Sequence, residues 1–299
     1  MKKLFTANPS MQLLLLLFVF SAALMLTGVV SVALAPVFGF SPLQVQDGLS
    51  PSNPALARYF LVTQSVGVFM LPPVLAAFFI FRKRSCIFLS AARCPDQRSA
   101  MLTALALILA VPFISFSANV NAQLPLPEWA TRLDHDATEL FAALIFSPDV
   151  ATLLLNLLVI ALIPAVGEEL LFRGYLQRAL WSWTKKPHLA IFVSAVTFSA
   201  IHLQLEGFIP RFLLGALFGY LLYWSGSLWL PIIAHFTNNA LSVVAYFYAA
   251  RRGADIESLE VETSVSALLA LASVFVAANL LSHIQRREKL RRRRRPYPA

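Results

Sequence analysis

Two glutamates, Glu168 and Glu169, stand side by side at the end of one of the most apolar runs of this chain, Val150 to Val166, and Arg173 follows four residues later. A charge in hydrocarbon costs roughly 3 kcal/mol on insertion scales and more by other measures, so carboxylates in such a place mark a working site or a buried ion pair. Of the fifteen acidic residues, only these two fall inside a strongly apolar segment. Two of the five histidines are set in apolar segments as well: His202 in Phe198-Ser199-Ala200-Ile201-His202, and His235 in His235-Phe236-Thr237-Asn238-Asn239. Each motif has a plain structural reading. Glu169 and Arg173 suit a helical ion pair. An intramembrane histidine is often only a packed, hydrogen-bonded residue. His235 and Asn239, four apart on one face, suit hydrogen bonding between helices. Together, however, they supply a carboxylate base, two imidazoles and an amide donor in apolar surroundings. Hydrolysis inside a membrane needs that set: a base to activate water and donors to hold the tetrahedral oxyanion. Glu168 points about 100° away from Glu169 around a helix, so the two need not share a role, and Glu168 is the candidate base.

These residues have to be positioned by helices that cross a bilayer. Apolar residues make up 58% of the chain and mean hydropathy is +0.70, well above the roughly 45–50% apolar content of soluble domains. A span needs about 20 mostly apolar residues, and such runs lie near 11–34, 59–81, 101–119, 150–172, 189–205, 210–224, 228–250 and 264–283. The predicted fold is all-α: a polytopic integral membrane bundle of about eight transmembrane helices. Residues 1–285 form a single transmembrane domain with a catalytic core at about 150–250, and 286–299 form a basic tail. The run from Met11 to Leu34 is longer than a signal-peptide core and reads as a retained signal anchor.

Charge gives the orientation. Of 24 Lys and Arg, five (Arg58, Arg132, Arg211, Arg251 and Arg252) fall in segments on one side and the rest on the other. Positive charge marks the inside, so both termini are expected in the cytoplasm of a multi-pass cell-membrane protein. The outside segments are acidic, with Glu128, Asp134, Asp136 and Glu139 in one and Asp255, Glu257, Glu260 and Glu262 in another. In the first, Trp129, Leu133, Leu140, Phe141 and Leu144 recur at helical spacing, which suits a helix lying on the interface or a loop capping the bundle. The basic run from Arg286 to Arg295 is juxtamembrane and is expected to meet anionic lipids rather than nucleic acid. Cys86 and Cys94 lie in an inside loop and are expected to be reduced.

With these motifs in order, the chain resembles the CPBP family, the CAAX-protease and bacteriocin-processing (Abi) group of intramembrane endopeptidases. Glu168-Glu169-x-x-x-Arg173, Phe198-x-x-x-His202 and His235-x-x-x-Asn239 match its three motifs. Gly215-x-x-x-Gly219-Tyr220 and Ser225-Gly226-Ser227-Leu228-Trp229-x-Pro231-Ile232 look like the family too. The resemblance covers about 160–240. It implies Glu168 as general base with His202 as partner, His235 and Asn239 as the oxyanion-stabilising pair, and Glu169 and Arg173 as supports that orient the first carboxylate. The implied substrate is a membrane-associated peptide or protein, and nothing in the sequence selects a prenyl group. On cofactors the family divides. A His2Glu zinc site from Glu168, His202 and His235 is one view; a metal-free glutamate mechanism is the other and the one favoured. Alternative functions are a non-proteolytic immunity or scaffold protein of the same fold, or a transporter, although no internal repeat supports the last. One difficulty is geometric. His202 lies some thirteen residues into its span, about 20 Å of helix, while Glu168 lies near the inner end of its own. They meet only if the fourth helix tilts or the fifth starts below the membrane surface.

Overall fold

The computed structural model describes residues 8–46, 50–253 and 265–294, and among these every regular element is helical. Lys2, Lys3, the acidic cluster from Asp255 to Glu262 and Arg295 lie outside the described residues. Nine main helices follow in order: α1 (Pro9–Leu34), α2 (Pro54–Phe88), α3 (Gln97–Ala122), α4 (Glu128–Ile145), α5 (Val150–Thr184), α6 (Pro187–Ala200), α7 (Phe208–Ser225), α8 (Trp229–Arg251) and α9 (Ala267–Arg294). The protein is a polytopic helical bundle. Six helices (α1, with a 3-10 turn to Phe38, then α2, α3, α5, α7 and α9) are long and apolar enough to cross a membrane. The expected eight included two that fall short of that measure. Helix α6 has 14 residues, and α8 carries His235, Asn238 and Asn239, which lower its hydropathy. The span expected at 189–205 also stops early, because the chain leaves the helix at Ile201 and Leu203 turns to φ +56°.

Prolines shape the two longest helices. Pro72 and Pro73 in α2 and Pro164 in α5 have no N–H to return to the preceding turn, and each follows a widened π segment, Ser65–Met70 and Leu157–Leu162. A second π segment, Leu170–Leu176, begins right after Glu169. The carboxylate pair thus sits between two register shifts, the kind of irregularity that clusters at functional sites. Gly167 lets α2 and α5 approach closely here. A Cβ at that position would lie 3.0 Å from the Ser65 carbonyl oxygen and 3.1 Å from Phe69 Cβ.

Helix α5 runs on to Thr184, and α6 starts at Pro187 after Lys185 takes a left-handed turn, φ +58°. This resolves the difficulty over Glu168 and His202. Both lie about the same number of residues from the hairpin, so antiparallel packing brings them level, with α6 starting as deep as α5 ends.

The helices α6 and α7 meet through small residues. A Cβ at Gly215 would be 3.1 Å from Phe198 and 3.3 Å from Ala195, and one at Gly219 would be 2.9 Å from Ile191. Bare backbone at these positions also exposes two carbonyls to α5. Arg173 Nη2 donates to Gly215 O at 2.9 Å and Gln177 Nε2 to Gly219 O at 3.1 Å. A four-residue repeat on α5 therefore reads a four-residue repeat on α7.

The two ends of the bundle differ in charge. At one end lie Arg82–Arg84, Arg178, Lys185 and the basic stretch from Arg286, which continues α9 rather than leaving it. Arg287 pairs with Asp96 at 2.7 Å, Arg291 donates to Cys94 O, and Arg292 donates to Tyr223 O. Cys86 and Cys94 are exposed thiols at this end. At the other end lies α4. Its last carbonyls need partners, and Leu144 O receives Arg58 Nη2 at 2.6 Å and Asn156 Nδ2 at 2.9 Å. Arg58 is thus a clamp on α4 rather than a free surface charge. Leu140, Phe141 and Leu144 turn inward, whereas Trp129 and Leu133 are exposed, so the helix both caps the bundle and offers an apolar edge to the surface.

Candidate active site

The turn after α6 explains the Phe-x-x-x-His motif. A helix end leaves carbonyls without intrahelical donors, and His202 Nδ1 satisfies the one at Phe198, four residues back, at 2.8 Å. A ring that donates from Nδ1 to a carbonyl has, when neutral, an unprotonated Nε2. That nitrogen faces Glu168 Oε2 at 4.0 Å. From the opposite wall His235 does the same. Its Nδ1 lies 2.9 Å from Glu169 Oε1, and its Nε2 faces Glu168 Oε2 at 3.8 Å. Glu168 Oε2 is buried and has no hydrogen-bond partner, so it stands between two imidazole Nε2 atoms with about one water's reach to each.

The neighbouring carboxylate has a different task. Glu169 and Arg173 are both fully buried and joined at 2.8 Å. The guanidinium lies 4.5 Å from the Phe198 ring centroid and 5.3 Å from that of Phe218, and Phe218 in turn stacks on His235 with centroids 5.1 Å apart. The pair was expected to orient Glu168. Its contacts instead fix the ring of His235: Glu169 accepts its Nδ1–H, Arg173 balances Glu169, and Phe218 holds the plane. A histidine whose Nδ1–H is held by a carboxylate has its tautomer set, with Nε2 left for chemistry.

Glu168, His202, His235 and Asn239 all line one cavity of about 540 Å³. Asn239 lies one turn beyond His235, where its Oδ1 accepts from Asn238 Nδ2 at 3.3 Å, leaving its own amide N–H groups for another partner. The cavity is walled by apolar residues of α2, α4, α5 and α7, among them Leu61, Leu140, Phe141, Ile160 and Leu214. Gln64, Gln204, Arg211, Asn238 and Ser242 complete its polar lining, and none of these was singled out from the sequence. Arg211 in particular was counted among the outside charges. Its position amid Phe208-Ile209-Pro210 and Phe212-Leu213-Leu214 was the available signal.

Whether these residues suit zinc can be tested on their spacing. Zinc–ligand bonds of about 2.0–2.2 Å place neighbouring ligand atoms roughly 3.3 Å apart across a tetrahedron. The separations of 3.8 and 4.0 Å would require angles well beyond tetrahedral. Among the described residues no group of three His, Cys, Asp or Glu is placed to hold a metal ion. The arrangement does not fit a tetrahedral zinc, and no step below runs through one.

Residues 150–241 match the family model described as type II CAAX prenyl endopeptidase Rce1-like. Through this core the chain is similar to that family. The matched segment holds α5, the α5–α6 hairpin, α6, α7 and the part of α8 with His235 and Asn239, so it carries all four of these site residues, while α2 and α4 wall the cavity from outside it. The match spans under a third of the chain, and over that stretch the protein is similar to CAAX prenyl endopeptidases. Neither the curated proteins nor the solved structures provide a match.

Proposed function

We propose that this protein hydrolyses a peptide bond of a membrane-associated peptide or protein by metal-free, glutamate-activated water. The observation that carries the reading is the convergence of a buried, unpartnered carboxylate oxygen with two imidazole Nε2 atoms at 3.8 and 4.0 Å. Two neutral imidazole lone pairs facing a carboxylate repel one another unless a proton or a water lies between them. Gaps of this size suit a water with hydrogen bonds of about 2.8 Å to both sides. Glu168 takes a proton from that water as its oxygen adds to the scissile carbonyl carbon, with His202 holding the water in line. The resulting oxyanion is stabilised by Asn239 Nδ2 and by His235, which takes a proton from solvent at Nε2 as substrate binds, balanced by Glu169, and keeps it through the step. Collapse breaks the C–N bond, the proton held by Glu168 passes to the leaving amine, and a carboxylate and an amine result. The apolar wall excludes bulk water, which strengthens each of these interactions.

We orient the bundle with its basic end, and both termini, in the cytoplasm, which puts α4 and the neighbouring part of the cavity toward the outer face. Anionic lipids are the partners we assign to the basic end of α9. The test is hydrolysis in reconstituted vesicles in oxygen-18 water, with cleavage products weighed by mass spectrometry. Direct attack by water introduces one label into the new C-terminus. Glu168→Gln is expected to lower the rate by about 10²–10⁴-fold, the usual worth of a positioned base. Unchanged cleavage in that variant would refute the assignment.

A further inference from the structure

Among the described residues that line the cavity, Arg211 is the one Lys or Arg, and the mechanism above gives it no task. A half-buried guanidinium in a cavity needs a reason to be where it is. Its surroundings are built to hold it. Nη1 donates to Gln204 O at 2.9 Å and Nη2 to Gln204 Oε1, also at 2.9 Å. Gly207 leaves it room, since a Cβ there would lie 2.3 Å from Nη2. The loop that carries Gln204 and Gly207 is itself pinned on three sides. Asn121 receives Ile209 N at 2.6 Å and donates to Leu205 O at 2.8 Å, Asp134 receives Glu206 N at 3.0 Å, and Ser199 donates to Phe208 O at 2.7 Å. The acidic groups that face the guanidinium are Asp134 and Glu168.

Two of the five guanidinium donors engage Gln204, and the planar fork of the remainder suits a carboxylate. Asp134 is occupied with the Glu206 amide and 4% exposed. Glu168 faces the Nε2 atoms of His202 and His235. A fixed, partly desolvated cation in a reaction cavity is a receptor for negative charge on whatever enters. We propose that Arg211 is a specificity residue that binds a carboxylate of the substrate and so sets how far from that carboxylate the chain is cut. This inference rests on the proteolytic reading. The carboxylate has two sources, a free C-terminus or an Asp or Glu side chain, and one experiment separates them.

The probe is a pool of N-terminally palmitoylated, internally randomised decapeptides, made once with a free C-terminal acid and once with a C-terminal amide. Full-length protein in vesicles is offered each pool, and products are sequenced by mass spectrometry for wild type, Arg211→Gln, Arg211→Lys and Glu168→Gln. The expected result is Glu168-dependent cleavage of the acid pool at a fixed distance from its end. The amide pool should then show a KM about 10- to 100-fold higher, the usual worth of a charged hydrogen-bonded contact. Arg211→Gln should erase the difference between the pools by raising KM for the acid pool, and Arg211→Lys should keep part of it. Equal cleavage of both pools at a fixed distance from internal Asp or Glu, lost in Arg211→Gln, assigns the carboxylate to a side chain. Wild type with no preference for either carboxylate overturns the inference while leaving the proteolytic reading standing. A loss in Arg211→Gln that falls equally on peptides with and without a carboxylate at the preferred distance does the same, since that is the mark of a structural or electrostatic role. No Glu168-dependent cleavage of either pool removes the proteolytic reading and this inference with it.

Discussion

Arg173→Met removes a buried cation and keeps most of its volume. In the native protein Arg173 is fully buried, bonded to Glu169 Oε1 at 2.8 Å and to Gly215 O at 2.9 Å, and packed against Phe198 and Phe218. Hydrogen bonds that involve charge are worth about 1.5–3 kcal/mol each, and a desolvated cation–π contact about 2 kcal/mol. These do not add, because the same guanidinium makes them all. What stays behind matters more: Glu169, without exposure and with Oε2 already lacking a partner, would keep only His235. Orphaning one member of a buried ion pair costs about 3–5 kcal/mol, and that cost decides the outcome. The double variant should behave differently. Glu169→Gln with Arg173→Met removes both charges, so it should recover most of the loss and lie within about 1–2 kcal/mol of wild type. Equilibrium unfolding in mixed micelles measures all four corners of this cycle. A single-variant cost below about 1 kcal/mol, or a double variant no more stable than the single, would refute the assignment of Glu169 and Arg173 as a mutually dependent buried pair.

Other consequences can be checked independently. Gly215→Val should separate α6 from α7 and displace Arg173 from the Gly215 carbonyl, lowering both stability and activity, read by thermal unfolding and by cleavage rate; a wild-type melting profile would contradict the close approach. Dialysis against a strong chelator should leave cleavage unchanged, whereas a loss restored by one equivalent of zinc would overturn the metal-free reading. At the basic end, the hydrogen bond from Arg287 holds the Asp96 carboxyl at about 2, below its ordinary 3.8. Because the folded value is depressed, the stabilisation is complete above pH about 4 and is lost as pH falls toward about 2. Asp96→Asn should therefore melt below wild type at pH 6 and converge with it near pH 2; a gap that persists at pH 2 would show another origin.

The polar motifs could be read from the sequence because each contrasts with an apolar background. Glu168, His202 and His235 converge, and Asn239 lines the same cavity. What their spacing could not disclose was the division of labour. Glu169 accepting from His235 depends on α5 facing α8, a contact with no local signature. His202 was placed inside a helix because Phe198 to Leu205 is apolar, yet it lies in the turn that follows, and its ring caps the carbonyl that the turn exposes. Arg58 and Arg211 were counted as surface charge, since hydropathy averages cannot tell an arginine at a helix end that faces solvent from one folded into a cavity. Of the about eight spans expected, six are long and apolar enough to cross a membrane, and α6, which starts at Pro187 after the hairpin at Lys185, has only 14 residues. The repeat Gly215-x-x-x-Gly219 was visible, but its use as a pair of carbonyl acceptors for Arg173 and Gln177 appears only in three dimensions.

The most direct test of glutamate-dependent proteolysis compares peptide termini across the proteome of cells that express either wild type or Glu168→Gln at matched, folded levels. New C-termini near membrane-associated segments should be present with wild type and absent with the variant. Identical termini in the two, with both proteins folded and abundant in the membrane, would contradict the proposed chemistry.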